Sequence, residues 1–179
     1  MILIPILQGC SADIEQYNEI DKPFDIKRYF NGPVIAWGII EGFSGKVTRR
    51  FCVEIQGNWQ GVNGVLAEKF YFDDGEVSYR NWQLIKHSDG TYRGTAEDVV
   101  GVAVGQHAGF AFHWQYSLQV PVGDNTYLFN LDDWMYQLDS QRVFNKTKMK
   151  KFGVTVANIS LFFDKSLPKQ RCFDQNSTD

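Results

Sequence analysis

From residue 33 to about residue 163 the chain is a succession of strand-like runs separated by turn signals, and in several of them apolar and polar positions alternate with a period of two. In 47–59, Val47, Phe51, Val53, Ile55 and Trp59 share one face, and Thr48, Arg50, Glu54, Gln56 and Asn58 share the other. In 110–120, Phe110, Phe112, Trp114, Tyr116, Leu118 and Val120 oppose Ala111, His113, Gln115, Ser117 and Gln119. Phe70 with Phe72, and Trp82 with Leu84, continue the pattern. Successive side chains of a strand point to opposite faces, so this period predicts strands with one wet face. Phe43-Ser44-Gly45, Val62-Asn63-Gly64, Asp73-Asp74-Gly75, Ser88-Asp89-Gly90 and Val122-Gly123-Asp124-Asn125 separate the runs. Asn-Gly and Asp-Gly suit tight hairpins because both tolerate positive φ.

About ten strands follow, at 33–43, 46–57, 64–73, 76–87, 91–97, 100–107, 109–120, 125–131, 141–149 and 153–163. Residues 24–30 predict a short helical turn, ended by Asn31-Gly32-Pro33. A meander with one apolar face can avoid exposed edges by closing on itself. The expected fold is therefore all-β, an antiparallel up-and-down barrel of about eight to ten strands with a short N-terminal helical turn. A flattened two-sheet sandwich is the alternative. The small residues from Val99 to Gly105 suit sharp bending at a barrel corner. The barrel domain is placed at 24–164, and the polar residues 165–179 are expected to be disordered.

The 179 residues fit one domain, large enough to fold without a metal or a disulfide. A net charge of −3 gives no case for nucleic acid, which calls for a clustered basic face. The basic run Lys146-Thr147-Lys148-Met149-Lys150-Lys151 reads as a solvated strand end, or as a contact for anionic lipid headgroups. Aromatic residues make up 15% of the chain, which suits a large apolar interior. No CxxC motif or zinc-like His/Cys cluster occurs, so neither metal nor cofactor is expected.

The first seven residues are apolar and uncharged, too short to span a bilayer as a helix. They lead into Leu7-Gln8-Gly9-Cys10. That group resembles the bacterial lipobox, in which the cysteine is lipid-modified and becomes the new N-terminus. On this reading 1–9 is the stub of a longer signal whose start lies upstream, and 10–23 is a lipidated polar tether. Ser11 after the cysteine implies the periplasmic face of a Gram-negative outer membrane. The alternative is a buried N-terminal strand with an ordinary core cysteine. Cys52 and Cys172 can pair in an oxidising compartment, although Cys172 lies in a polar tail.

Asp132-Asp133-Trp134-Met135 is the most pointed chemical group. Adjacent carboxylates in a strand face opposite ways, so one of Asp132 and Asp133 is expected to face the interior. A carboxyl in an apolar cavity has a raised pKa and can act as acid or base. The alternative is a turn cap or ion pair, with Trp134 plugging a barrel end. Arg49 falls on the apolar phase of its strand, where it either binds a carboxylate or reaches solvent at the strand end. Asn145 and Lys151 are candidates for the barrel mouth. His113 falls on the wet phase.

Several groups together resemble one bacterial lipoprotein family, catalogued as domain of unknown function 3833. They are the Leu-x-Gly-Cys leader, Tyr29-Phe30-Asn31-Gly32 with Ala36-Trp37-Gly38, and Tyr71-Phe72-Asp73-Asp74-Gly75-Glu76. Asp98-Val99-Val100-Gly101, Trp114-x-Tyr116-x-Leu118, Leu131-Asp132-Asp133-Trp134-Met135 and Lys151-Phe152-Gly153 complete the set. The resemblance spans about residues 24–163 and implies location and architecture more than chemistry. A more distant likeness is to lipocalins and other calycins, although the Gly-x-Trp of their first strand is not matched.

The leading expectation is a membrane-tethered protein that binds a lipid or fatty-acyl molecule without acting on it. Arg49, Phe51, Phe72, Trp82, Phe112, Trp114, Tyr116 and Trp134 are the expected ligand-binding residues. Phe51, Phe70, Phe72, Phe112, Trp114 and Phe162 can equally fill a solid barrel. The competing expectations are a lipid isomerase or hydratase using Asp132 or Asp133, and a structural protein with an envelope partner.

Overall fold

The computed structural model describes residues 12–18, 23–167 and 172. Ten antiparallel strands form one closed barrel. They are β1 (Gly32–Gly42), β2 (Val47–Gln60), β3 (Asn63–Phe72), β4 (Val77–Lys86), β5 (Tyr92–Thr95), β6 (Val99–Ala108), β7 (Ala111–Val122), β8 (Asn125–Gln137), β9 (Arg142–Lys151) and β10 (Val154–Asp164). Each strand pairs with its neighbours in sequence, and β1 pairs with β10 over Ile35 to Gly42 to close the ring. The barrel is the expected up-and-down meander, and the sandwich alternative is excluded. β8 runs six residues past its expected end at 131, because Asp132 to Tyr136 ladder against both β7 and β9 and Gln137 against β9. The small-residue stretch carries an irregularity in the ladder. The β6–β7 register shifts between Val100 and Val104, where Gly101 takes a φ of +77°, a conformation that glycine adopts without strain.

One end of the barrel is shut by α1 (Ile26–Tyr29). Asp25 caps its N-terminus by accepting from the Arg28 N–H. The Lys165 ammonium donates to the carbonyls of Arg28, Tyr29 and Asn31 beyond its last turn. The same segment is tied to four of the loops around that end. The Phe24 N–H donates to the Gly109 carbonyl, the Tyr29 hydroxyl to Gln141, the Lys27 ammonium to Gly61, and Lys86 and Tyr92 to the Asp25 carboxylate. Phe30 turns down into the barrel against Phe163. Its carbonyl sits where a β-carbon on Gly57 would be, 1.6 Å away, so only glycine fits there.

Two terminal segments are fixed to the outside of the wall. The 3-10 turn Ile14–Tyr17 lays Ile14 and Tyr17 on Trp134, Ala108, Ala111 and Tyr136. Part of the segment expected to be a polar tether is thus docked, because the outer face of β7–β8 is itself apolar there. Cys52, on the outer face of β2, is disulfide-bonded to Cys172, whose N–H donates to Glu54. The position expected to lie in a disordered tail is therefore held at the barrel wall. Cys10 lies outside the described residues. Among them no helix is long and apolar enough to cross a membrane.

Candidate functional site

The end opposite α1 is ringed by the β1–β2, β3–β4, β7–β8 and β9–β10 hairpins and opens into a cavity of about 560 Å³. A volume of this size accommodates a small-molecule ligand. The inward phase of each strand builds the wall. β2 contributes Phe51, Val53 and Ile55, and β4 contributes Trp82 and Leu84. β7 contributes Phe112, Trp114, Tyr116 and Leu118, as its alternation predicts. The large rings are accommodated by glycines across the strands. A β-carbon on Gly105 would lie 2.3 Å from the Trp114 ring and 2.4 Å from Phe112. The interior is thus rich in aromatics and still open.

One side of the cavity is polar. Glu68 on β3 and Arg80 on β4 are cross-strand partners, both inward, with 3.9 Å between guanidinium and carboxylate. Arg80 spends its fork on Asp98, at 2.9 Å and 2.6 Å. Asp133 faces inward from β8 and accepts from the Asn145 amide, which also donates to the Trp134 carbonyl. The Thr147 hydroxyl donates to Asn145. Burial holds the Asp133 carboxyl up at about 7 against the pull of the Asn145 and Thr147 hydrogen bonds. Burial likewise lifts Glu68 to about 7 against the Arg80 charge, with Asp133 adding to the rise. Burial and the neighbouring carboxylates push the Tyr116 phenol well up. The cavity therefore holds two carboxyls poised to exchange a proton near neutral pH.

At the mouth, the Arg49 guanidinium sits over the Phe72 ring at 3.6 Å and bonds to Asp74 at 2.8 Å and Glu76 at 2.9 Å. Arg49 thus lines the cavity and ends at the rim. Seven of the expected ligand-binding residues, Arg49, Phe51, Phe72, Trp82, Phe112, Trp114 and Tyr116, line the same cavity. Trp134 does not. It is on the outward phase of β8, stacked on His113 at 4.1 Å and covered by Tyr17. Asp132 is outward as well, bonded to His113 and Lys150 at 2.7 Å each. Despite its desolvation, those two bonds hold its carboxyl below the usual range, so of the two aspartates only Asp133 faces the cavity. Phe162 also faces out, and Phe163 is the buried ring. Asn145 lies deep within the barrel rather than at its mouth.

Glu68, Arg80 and Asp98 are the site residues that pattern reading missed. Glu68 falls between Leu66 and Phe70, and Arg80 precedes Trp82 by two, so both share the apolar phase of their strands. Applying the alternation to charged residues as well as apolar ones finds them.

The family model for a protein of unknown function, DUF3833, matches residues 4–165. The chain belongs to the DUF3833 family. No curated protein matches the sequence. Among solved structures, the S-type phycobiliprotein lyase CPES from Guillardia theta is similar, with a TM-score of 0.54 at 7% identity. The match covers 76% of this chain and 87% of that one. At that identity the likeness concerns the fold alone, and it agrees with the closed antiparallel barrel of this DUF3833 member.

Proposed function

We propose that this DUF3833 protein is a carrier for a lipid or similar apolar molecule, held at the periplasmic face of a Gram-negative outer membrane by a lipid-modified Cys10. The observation that carries the binding reading is the 560 Å³ cavity, open at one end, walled by aromatic and aliphatic side chains and polar on one side. The lipobox resemblance supports the location.

The polar side narrows the ligand. Arg80 is committed to Asp98, and Arg49 to Asp74 and Glu76. Among the described lining residues those are the two cations, so a ligand carboxylate entering the barrel meets none that is unpaired. Glu68 and Asp133 instead present acceptors, or donors when protonated. The ligand fitted to this interior has an apolar body and a group that donates hydrogen bonds: a hydroxyl, an amide or an amine. Displacement of the neutral fluorophore N-phenylnaphthylamine tests this. Dodecanol and dodecylamine are expected to displace it at lower concentration than dodecanoate. Stronger displacement by dodecanoate refutes the assignment of the polar group, and no uptake of the fluorophore or of any of the three refutes binding.

The second reading, a lipid isomerase or hydratase, is favoured by one observation: Asp133 sits inside the cavity with its carboxyl near neutrality. In that case Asp133→Asn abolishes turnover of the bound lipid while binding persists. Unchanged envelope lipid composition in a strain carrying that variant counts against it.

A further inference from the structure

The rim of the open end carries large apolar side chains that the barrel does not use. Phe43, in the β1–β2 turn, is 82% exposed, and Phe152, in the β9–β10 turn, is 93% exposed. β1 and β10 are paired, so these two turns are neighbours on the rim. Val122 and Leu128 on the β7–β8 hairpin and Val154 beside Phe152 are exposed around them. Phe152 is also the one described non-glycine residue with positive φ, at +50°, followed by Gly153 at +81°. Asn, Asp or Gly occupies such a hairpin position at lower cost than a phenylalanine. A ring placed at that backbone cost and 93% exposed buries no apolar surface within the chain; its neighbour there is the Lys151 ammonium, 5.6 Å from the ring.

The charge beside these rings is positive. Lys46 is in the β1–β2 turn, Lys146 and Lys148 are exposed on β9, and Lys151 ends β9. Among the described residues none of the four has a carboxylate partner within ion-pair distance. The Lys151 ammonium lies 3.7 Å from the Tyr127 ring, 5.4 Å from Phe129 and 5.6 Å from Phe152. Glu41 and Asp124 are carboxylates near this side of the rim, and Asp132, the cross-strand partner of Lys148, is already bonded to His113 and Lys150. The acids of the β3–β4 turn, Asp73, Asp74 and Glu76, are already taken by Arg49 and Arg50. A chain of net charge −3 thus concentrates unpaired cations around its most exposed aromatics. Aromatic rings flanked by lysine are the composition of a surface that sits at the boundary between headgroups and acyl chains.

We propose that the open end of the barrel docks on an anionic lipid surface. Phe43 and Phe152 enter the acyl boundary, and Lys46, Lys148 and Lys151 meet the headgroups. The cavity then opens directly onto the bilayer. The docking stands apart from what the cavity holds, because its test reads vesicles rather than ligand.

The test uses the full chain with Cys10→Ser, so that no acyl anchor contributes, and vesicles of phosphatidylcholine with and without phosphatidylglycerol. Flotation is expected only with phosphatidylglycerol present, and it is expected to weaken with salt. Phe43→Ser with Phe152→Ser is expected to lower vesicle affinity by about tenfold or more. Lys46→Gln with Lys148→Gln and Lys151→Gln is expected to remove the preference for the anionic lipid. Phe43, Phe152, Lys46 and Lys148 are exposed and Lys151 is half-buried against the Tyr127 ring, and an unchanged far-ultraviolet spectrum and urea midpoint will show that the barrel is intact. No flotation of the parent chain, or equal flotation of the phenylalanine variant, overturns the proposal. Self-association that the phenylalanine changes abolish, without vesicle binding, reassigns the rim to a second copy and overturns it too.

Discussion

Asp133→Asn removes a buried acid while leaving its hydrogen-bond frame in place. The Asn145 amide still finds a carbonyl oxygen to donate to, and the side chain keeps its volume. Folding lifts the Asp133 carboxyl from 3.8 to about 7 by burial. Below the unfolded-state value both states are protonated, and the acid costs nothing. Between 3.8 and about 7 the unfolded chain has released a proton that the folded chain retains, so stability falls as the pH rises. Above about 7 the whole cost is present. At ~1.4 kcal/mol per tenfold change in proton affinity, that cost is about 4 kcal/mol. Glu68, lifted from 4.5 to about 7 by burial, adds about 3 kcal/mol by the same reasoning. The two amounts overlap, since part of the Glu68 rise comes from Asp133. Asp133→Asn is therefore expected to stabilise the protein by about 2–4 kcal/mol near pH 8 and by almost nothing near pH 4. With a slope of about 2 kcal/mol per molar urea, the midpoint moves up by about 1–2 M at the higher pH. Urea titrations of the oxidised chain at the two pH values measure this. A stability change that is the same at both refutes the placement of Asp133 as a protonated interior acid.

Other consequences are as direct. Reducing the Cys52–Cys172 bond, which spans 120 residues, is expected to cost about 2–4 kcal/mol and to expose the C-terminal segment to protease; thermal unfolding with and without reductant reads it. Trp134→Ala is expected to release the Ile14–Tyr17 turn to proteolysis and leave fluorophore binding unchanged, whereas Trp114→Ala alters binding; the reverse pattern would contradict the assignment of the two faces. Gly105→Ala drives a methyl into the Trp114 and Phe112 rings and is expected to cost about 1–3 kcal/mol in urea unfolding.

Strand number and hairpin order were legible because the period of two is explicit in several runs and glycine-bearing turns separate them. Residues 112–120 show the reason most clearly, since every second side chain is large and apolar. β8 was underestimated because its second half, Asp132 to Gln137, carries a charge on each phase and puts its two rings, Trp134 and Tyr136, on the outward one. There Trp134 misled: a large ring suggested the interior, but Ile14 and Tyr17 supply an apolar cover outside. The adjacent aspartates could be split between two faces from sequence, yet which one faced in depended on the register with β7 and β9. Glu68 and Arg80 were overlooked because a buried ion pair looks like surface when charge alone is read. The link from Cys52 to Cys172 joins residues 120 apart, and nothing local in the sequence announces it.

The central claim is an occupied cavity. Residues 21–166 extended to include Cys172, exported to a Gram-negative periplasm without the acyl anchor and purified gently, would be weighed by native mass spectrometry. The account predicts one small apolar molecule per chain, released on denaturation and absent when Leu131→Trp fills the barrel. A chain that is empty as isolated, and stays empty after exposure to envelope lipid extract, would contradict it.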